Sequence, residues 1–119
     1  MDINTLEKYV EKKWGYEVWY WNSDQYCGKK LHIAAGRKLS FHYHKLKDEC
    51  LTVSRGKVKF YYSEGDNIDN ATVLILEQGS SVHIAPGLRH RFEAITDCDL
   101  YEFSTHHEDS DSYRILKGD

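Results

Sequence analysis

Residues 36–56 read GRKLSFHYHKLKDECLTVSRG. Side chains of a β-strand alternate between its two faces, so His42 and His44 aim the same way while Tyr43 points opposite. Glu49 opens the next strand after a short turn. Gly36 and Gly56 bracket the unit at turn positions, where positive φ or close backbone approach is common. Two imidazoles on one face with a carboxylate nearby make a chelating set, and such ligands suit Mn, Fe, Ni, Co or Zn. A fourth ligand has to come from a strand distant in sequence, and His90 is the candidate, since a closed barrel can lay its strand alongside.

Outward from this stretch the chain keeps the same texture. Short runs rich in β-branched and aromatic residues, bounded by Gly, Asn, Asp or Ser, recur at roughly 17–21, 26–34, 38–44, 49–54, 57–62, 72–76, 81–84, 89–94 and 98–104. Arg55-Gly56 reads as a tight hairpin turn, residues 64–70 as a polar surface loop, and Pro86-Gly87 as a turn. So many short strands in one small domain imply a barrel or sandwich, which hides sheet edges. Ahead of them Ile3, Leu6 and Val10 lie at helical spacing behind the caps Asp2 or Asn4, predicting a short amphipathic helix that Trp14-Gly15 ends. The expected organisation is one domain over 1–119: a helix at 1–13, a barrel at 14–105 and a C-terminal segment at 106–119. That segment crowds His106, His107, Glu108, Asp109 and Asp111 before Tyr113-Arg114-Ile115-Leu116, and reads as a solvated tail with one edge strand, a cap on the barrel, or a subunit contact.

Composition narrows the partners. The 119 residues include 16 Lys plus Arg against 19 Asp plus Glu, a net charge of −3, so no broad basic field is available for nucleic acid. Val73-Leu74-Ile75-Leu76 is the longest wholly aliphatic run, far short of a bilayer span, and acidic residues stand within 1–13 where a signal peptide is apolar. No membrane association is expected. Cys27, Cys50 and Cys98 are an odd number without CxxC spacing, which suits the reducing cytoplasm better than a disulfide scaffold. Trp19-Tyr20-Trp21 offers an aromatic surface for a homodimer.

Alternation also populates the interior around the chelating set. Ser40 shares the face of His42 and His44; Leu51 and Val53 follow Glu49; Phe92 and Ala94 follow His90. Glu102 is an acid within the otherwise apolar strand Leu100-Tyr101-Glu102-Phe103-Ser104, which makes it a candidate general base, with Glu49 as the other carboxylate able to move a proton. Lys29 or Lys30 can neutralise a substrate phosphate.

The pattern Gly36, five residues, His42, one residue, His44, four residues, Glu49, six residues, Gly56 resembles the first motif of the cupin superfamily over its whole length. Gly79, Pro86, Gly87 and His90 resemble the second, with Ala85 where cupins usually have proline and Ala94 where asparagine is frequent. Trp14-Gly15-Tyr16-Glu17, Tyr26-Cys27-Gly28-Lys29, Leu31-His32-Ile33 and Glu102-Phe103-Ser104-Thr105 resemble the cupin domain of type II mannose-6-phosphate isomerases, although His106-His107 replaces a proline-containing turn there. The resemblance implies an all-β cupin double-stranded β-helix, or jelly-roll barrel, with one divalent metal ion (Mn, Fe, Zn, Ni or Co) held by His42, His44, Glu49 and His90. It also implies a sugar or sugar-phosphate ligand. The reaction in view is aldose–ketose isomerisation through a metal-stabilised enediolate, with Glu102 or Glu49 carrying the proton. The alternatives are an Fe(II)-dependent cupin dioxygenase and a non-enzymatic carbohydrate-binding cupin, since this fold hosts all three.

Overall fold

A computed structural model describes residues 8–119. Their strands are β1 (Lys8–Lys12), β2 (Gly15–Asn22), β3 (Cys27–Ile33), β4 (Phe41–Tyr43), β5 (Glu49–Arg55), β6 (Val58–Ser63), β7 (Thr72–Leu76), β8 (Ser81–Ile84), β9 (Arg89–Ala94), β10 (Cys98–Ser104) and β11 (Tyr113–Leu116). The strands pair antiparallel into a six-stranded sheet in the order β1-β2-β3-β10-β5-β8 and a five-stranded sheet in the order β11-β4-β9-β6-β7. This is the jelly roll that the short alternating runs imply. Among the described residues no helix is long and apolar enough to cross a membrane.

Alternation is what makes the two sheets pack. β3 and β5 bury every second residue: Cys27, Lys29, Leu31 and Ile33 on one, Glu49, Leu51 and Val53 on the other. Val58 and Phe60 of β6, Phe92 and Ala94 of β9, and Leu100 of β10 meet them in one apolar cluster with Trp14, Leu39 and Ile84. Full burial of a Leu, Ile or Phe side chain contributes about 1.5–3 kcal/mol relative to exposure. One end of the space between the sheets is apolar. At the other end the inward positions are Lys29, His44, Lys47, Glu49, His90 and Glu102, all buried.

The expected helix is corrected by β1. Residues 8–12 are a strand paired along its whole length with β2, from Lys8 opposite Trp19 to Lys12 opposite Gly15; residues 1–7, with the caps Asp2 and Asn4, lie outside the described residues. The helical spacing of Val10 with Leu6 and Ile3 competes here with a period of two, in which Tyr9 stacks on Tyr16 at 5.2 Å while Lys8, Val10 and Lys12 turn to the other face. A helix this short is marginal alone in water, and the edge of β2 supplies a ladder instead. The aromatic run departs from plain alternation. A register shift between Trp19 and Trp21 sets Trp19 opposite Lys29 and Trp21 opposite Gly28, so the two indoles fall on different faces of the sheet.

Gly56 closes the β5–β6 hairpin at φ +89°, and a Cβ there runs into the backbone oxygen of Asp97. Gly56→Ala therefore combines left-handed strain with a backbone clash. Chemical denaturation is expected to show a loss of about 2–3 kcal/mol, with metal content unchanged because the turn lies away from the buried polar end.

Candidate metal centre

β4 and β9 are neighbours, and their single register pair is His42 opposite His90. His44 follows two residues after His42, beyond the end of β4, and Glu49 begins β5 opposite Ile84. Three imidazoles thereby converge: ligand-capable atoms of His42, His44 and His90 all lie within 4.8 Å of one another. Each Nδ1 is committed to a backbone carbonyl, His42 to Ser40 at 3.0 Å, His44 to Asp111 at 2.8 Å and His90 to Leu88 at 2.9 Å. A neutral imidazole that donates from Nδ1 carries its lone pair on Nε2. Burial, reinforced for His42 by the other two rings, keeps all three below the ordinary histidine range, and His90 is brought down to about 4. Near neutrality the cluster presents unprotonated nitrogens.

Glu49 stands against the same cluster. Its Oε2 is 3.3 Å from His44 Nε2 and 3.8 Å from His90 Nε2, and that oxygen is buried without a hydrogen-bond donor among the described residues. The facing nitrogens have no proton to give it. Burial first, and the charge of Glu102 second, push the Glu49 carboxyl up to about 8. A buried, unsatisfied carboxylate oxygen beside aligned imidazole lone pairs is stable only with a proton or a cation between them. The donor set of three nitrogens and one carboxylate matches a first-row divalent metal.

The segment after β10 holds this arrangement in place. Asp111, 6% exposed, accepts hydrogen bonds from the backbone N–H groups of Lys45, Leu46 and Lys47 at 2.9, 3.2 and 3.0 Å, while its carbonyl receives His44 Nδ1. β11 then pairs with β4, Arg114 opposite His42. Arg91 donates to the carbonyls of Leu39 and Lys117, each at 2.9 Å, tying residue 117 to the segment that leads into β4. Residues 106–119 are thus a structural clamp on the histidine strand as well as an edge.

Beside the cluster opens a cavity of about 590 Å³. Glu102, the candidate base, is buried on its wall and bound to Lys47 Nζ at 2.6 Å, with Ser104 Oγ 3.0 Å from the same oxygen. Burial works against its ionisation, but Lys47 and Lys29 outweigh that and keep it ionised. Lys47 also donates to His107 Nδ1 at 2.8 Å, and His107 Nε2 donates to Asp109 at 2.9 Å. Lys29 lies on the cavity wall, whereas Lys30 is on the opposite face of β3, near Tyr16.

The sequence over residues 30–106 matches the cupin domain family. The chain belongs to that family. No curated protein matches the sequence. In structure this cupin is similar to the capsular polysaccharide assembling protein CapF from Staphylococcus aureus, with a TM-score of 0.79 and 19% identity over 92% of this chain and 34% of that one. A variant of oxalate decarboxylase from Bacillus subtilis gives a TM-score of 0.78 and 14% identity over 90% of this chain and 30% of that one. KdgF from Halomonas sp. gives 0.74 and 13% over 87% and 90%. The chain spans about a third of the length of CapF. At these identities the likeness is one of fold.

Within the cupin frame, His42, His44, His90 and Glu49 come together, Ser40, Leu51, Phe92 and Glu102 line the cavity beside them, and Val53 and Ala94 fall in the apolar core. The structure also adds four that the strand pattern left unread: Lys47, His107, Asp109 and Asp111. Lys47 had a signal, because it lies two residues before Glu49 and so shares its face. His107, Asp109 and Asp111 had none, since they fall in irregular backbone and a 3-10 turn where no period assigns a direction.

Proposed function

We propose that this cupin is a metal-dependent isomerase of a sugar or sugar phosphate, with His42, His44, His90 and Glu49 holding one divalent ion. The observation that carries the reading is the unsatisfied Glu49 oxygen facing three imidazoles whose Nδ1 atoms are already bonded. A bound ion there supplies Lewis acidity toward the carbonyl and adjacent hydroxyl of an open-chain sugar. The protein supplies the rest. In this reading Glu102, ionised on the cavity wall, takes the proton from the carbon next to the carbonyl and returns it to the neighbouring carbon. Lys47, bonded to the carboxylate, fixes its orientation. Leu31, Leu39, Leu51 and Phe92 line the apolar part of the cavity and exclude water from the reacting carbons.

The test is metal analysis of the purified chain, followed by isomerisation assays on hexoses, pentoses and their phosphates before and after chelation. Activity is expected to vanish on chelation and return with metal, and Glu102→Gln is expected to lose turnover while keeping its metal. Chelation should also lower the melting temperature: a ligand at about 100 times its Kd stabilises by about 2.7 kcal/mol, which is roughly 10 °C in a domain of this size. Activity that survives metal removal sinks the proposal. Oxygen uptake on substrate addition would instead assign a dioxygenase, and saturable sugar binding without turnover a carbohydrate-binding protein.

A further inference from the structure

The cavity contains a second charged arrangement that the metal centre does not use. Trp19, Lys29, Glu102 and Leu51 form one row across the six-stranded sheet, through the register pairs Trp19 with Lys29, Lys29 with Glu102 and Glu102 with Leu51. The Lys29 side chain is 3% exposed, and its ion pair with Glu17 is loose, at 3.7 Å. Its ammonium sits 3.8 Å from the Trp19 ring centroid and makes no hydrogen bond among the described residues. An ammonium carries three donors, and buried charges are normally both paired and hydrogen-bonded. Lys29 has the loose pair with Glu17 and the nearby charge of Glu102, but no hydrogen-bond acceptor among the described residues, and it lines the cavity.

Lys47 is its neighbour on the same wall. Two of its donors are taken, by Glu102 and His107, and a third has no acceptor among the described residues. His107 is anchored at both ends: its backbone N–H and carbonyl bond to the Asn22 side chain at 3.0 Å, and its ring packs edge-on to Trp19 at 5.0 Å. Glu102 bonds Lys47 and Glu17 accepts from the Trp19 indole at 2.9 Å, and no further acceptor among the described residues stands within hydrogen-bonding distance of the remaining donors of the two lysines.

We infer that Lys29 and Lys47 form a buried anion subsite, positioned by His107 and walled by Trp19, which receives a carboxylate or phosphate substituent of the cavity's ligand. The ligand is therefore an acidic or phosphorylated sugar and not a neutral one. This rests on the reading of the cavity as a sugar site, and it assigns the recognition to the interior. The exposed Lys12, Lys13 and Lys117 at the mouth contribute only long-range attraction.

Calorimetric titration of the full chain with glucose, glucose 6-phosphate and glucuronate tests the subsite, with and without metal. One or both anions are expected to bind at least about tenfold more tightly than glucose, a difference of about 1.4 kcal/mol, and the preferred one tells phosphate from carboxylate. Lys29→Met should reduce that anion to the affinity of glucose with metal content unchanged, and Lys29→Arg should retain part of the preference. If Lys29→Met does not fold, the wild-type chain in roughly 1 M salt decides: mouth charges are screened there, and only a buried subsite keeps its preference. Equal affinity for the three sugars, no binding of either anion, or a preference that survives Lys29→Met or disappears in salt overturns the assignment. The reaction stands apart from it. Selective anion binding without isomerisation removes the isomerase and leaves the subsite, whereas isomerisation of glucose as readily as of its anions removes the subsite and leaves the isomerase.

Discussion

His90→Ala is expected to purify without a stoichiometric divalent ion and without isomerase activity, while its circular dichroism stays that of the wild type. His90 is 2% exposed and pairs across the ladder with His42, so its place is fixed by the sheet itself. Losing a group that merely orients a ligand costs roughly 10–100-fold in metal affinity; losing a ligand itself should cost more than that. The backbone ladder does not depend on the imidazole, which is why the fold is expected to persist. Elemental analysis gives the first readout. The second is thermal: chelator, which lowers the melting temperature of the wild type, should leave His90→Ala where it is. A variant that still binds one ion tightly, with the wild-type response to chelation, would place the metal elsewhere.

Asp111→Ala is expected to cost stability and metal together. Three backbone donors, those of Lys45, Leu46 and Lys47, point at a carboxylate that would be gone, and hydrogen bonds to a charged group contribute about 1.5–3 kcal/mol each. Because water can enter part of the vacated site, the net loss expected in denaturant unfolding is about 3–4 kcal/mol. The loop between His44 and Glu49 loses its anchor, and metal affinity should fall by roughly 10–100-fold, as for other residues that orient a ligand. The pH dependence follows from the sign of the shift. Burial opposes ionisation of Asp111, but the three backbone N–H groups prevail and hold its carboxyl below the usual aspartate range. A carboxylate whose folded pKa is depressed contributes stability fully above its unfolded pKa, about 3.9, and loses it as pH falls through the folded one. The difference between wild type and Asp111→Ala should therefore be flat from neutrality down to about pH 5 and shrink below about pH 4. A constant gap down to strongly acid pH would show that the carboxylate charge contributes nothing.

Much of the site could be read along the chain because strands make direction periodic. His42 and His44 two apart, Glu49 at the head of a strand, and Lys29, Leu31 and Ile33 in alternation all have orientations that follow from the period of two. That logic fails in two kinds of place. At Lys8–Lys12 two periods compete within five residues, and the winner was settled by the free edge of β2. At Trp21 a register shift reversed the face. Between Ser104 and β11 no period exists, so His107 and Asp111 could be seen only as a polar cluster.

Lys47 and Glu102 show the same division for chemistry. Along the chain Lys47 is one charge in a polar turn and Glu102 an acid in an apolar strand, with nothing to join them. Their 2.6 Å contact, and the opposite fates of Glu102, held ionised, and Glu49, pushed toward protonation, depend on burial and on which charge stands next to which. The amino-acid sequence by itself determined most of the strands, the inward faces around the histidines and the residue types that can chelate a metal, because those depend on local backbone geometry. Only the tertiary structure decided that β4 lies beside β9, that Asp111 clamps the His44 loop, and that Lys29 is buried with donors to spare, because contacts between distant segments follow from how the two sheets close on each other.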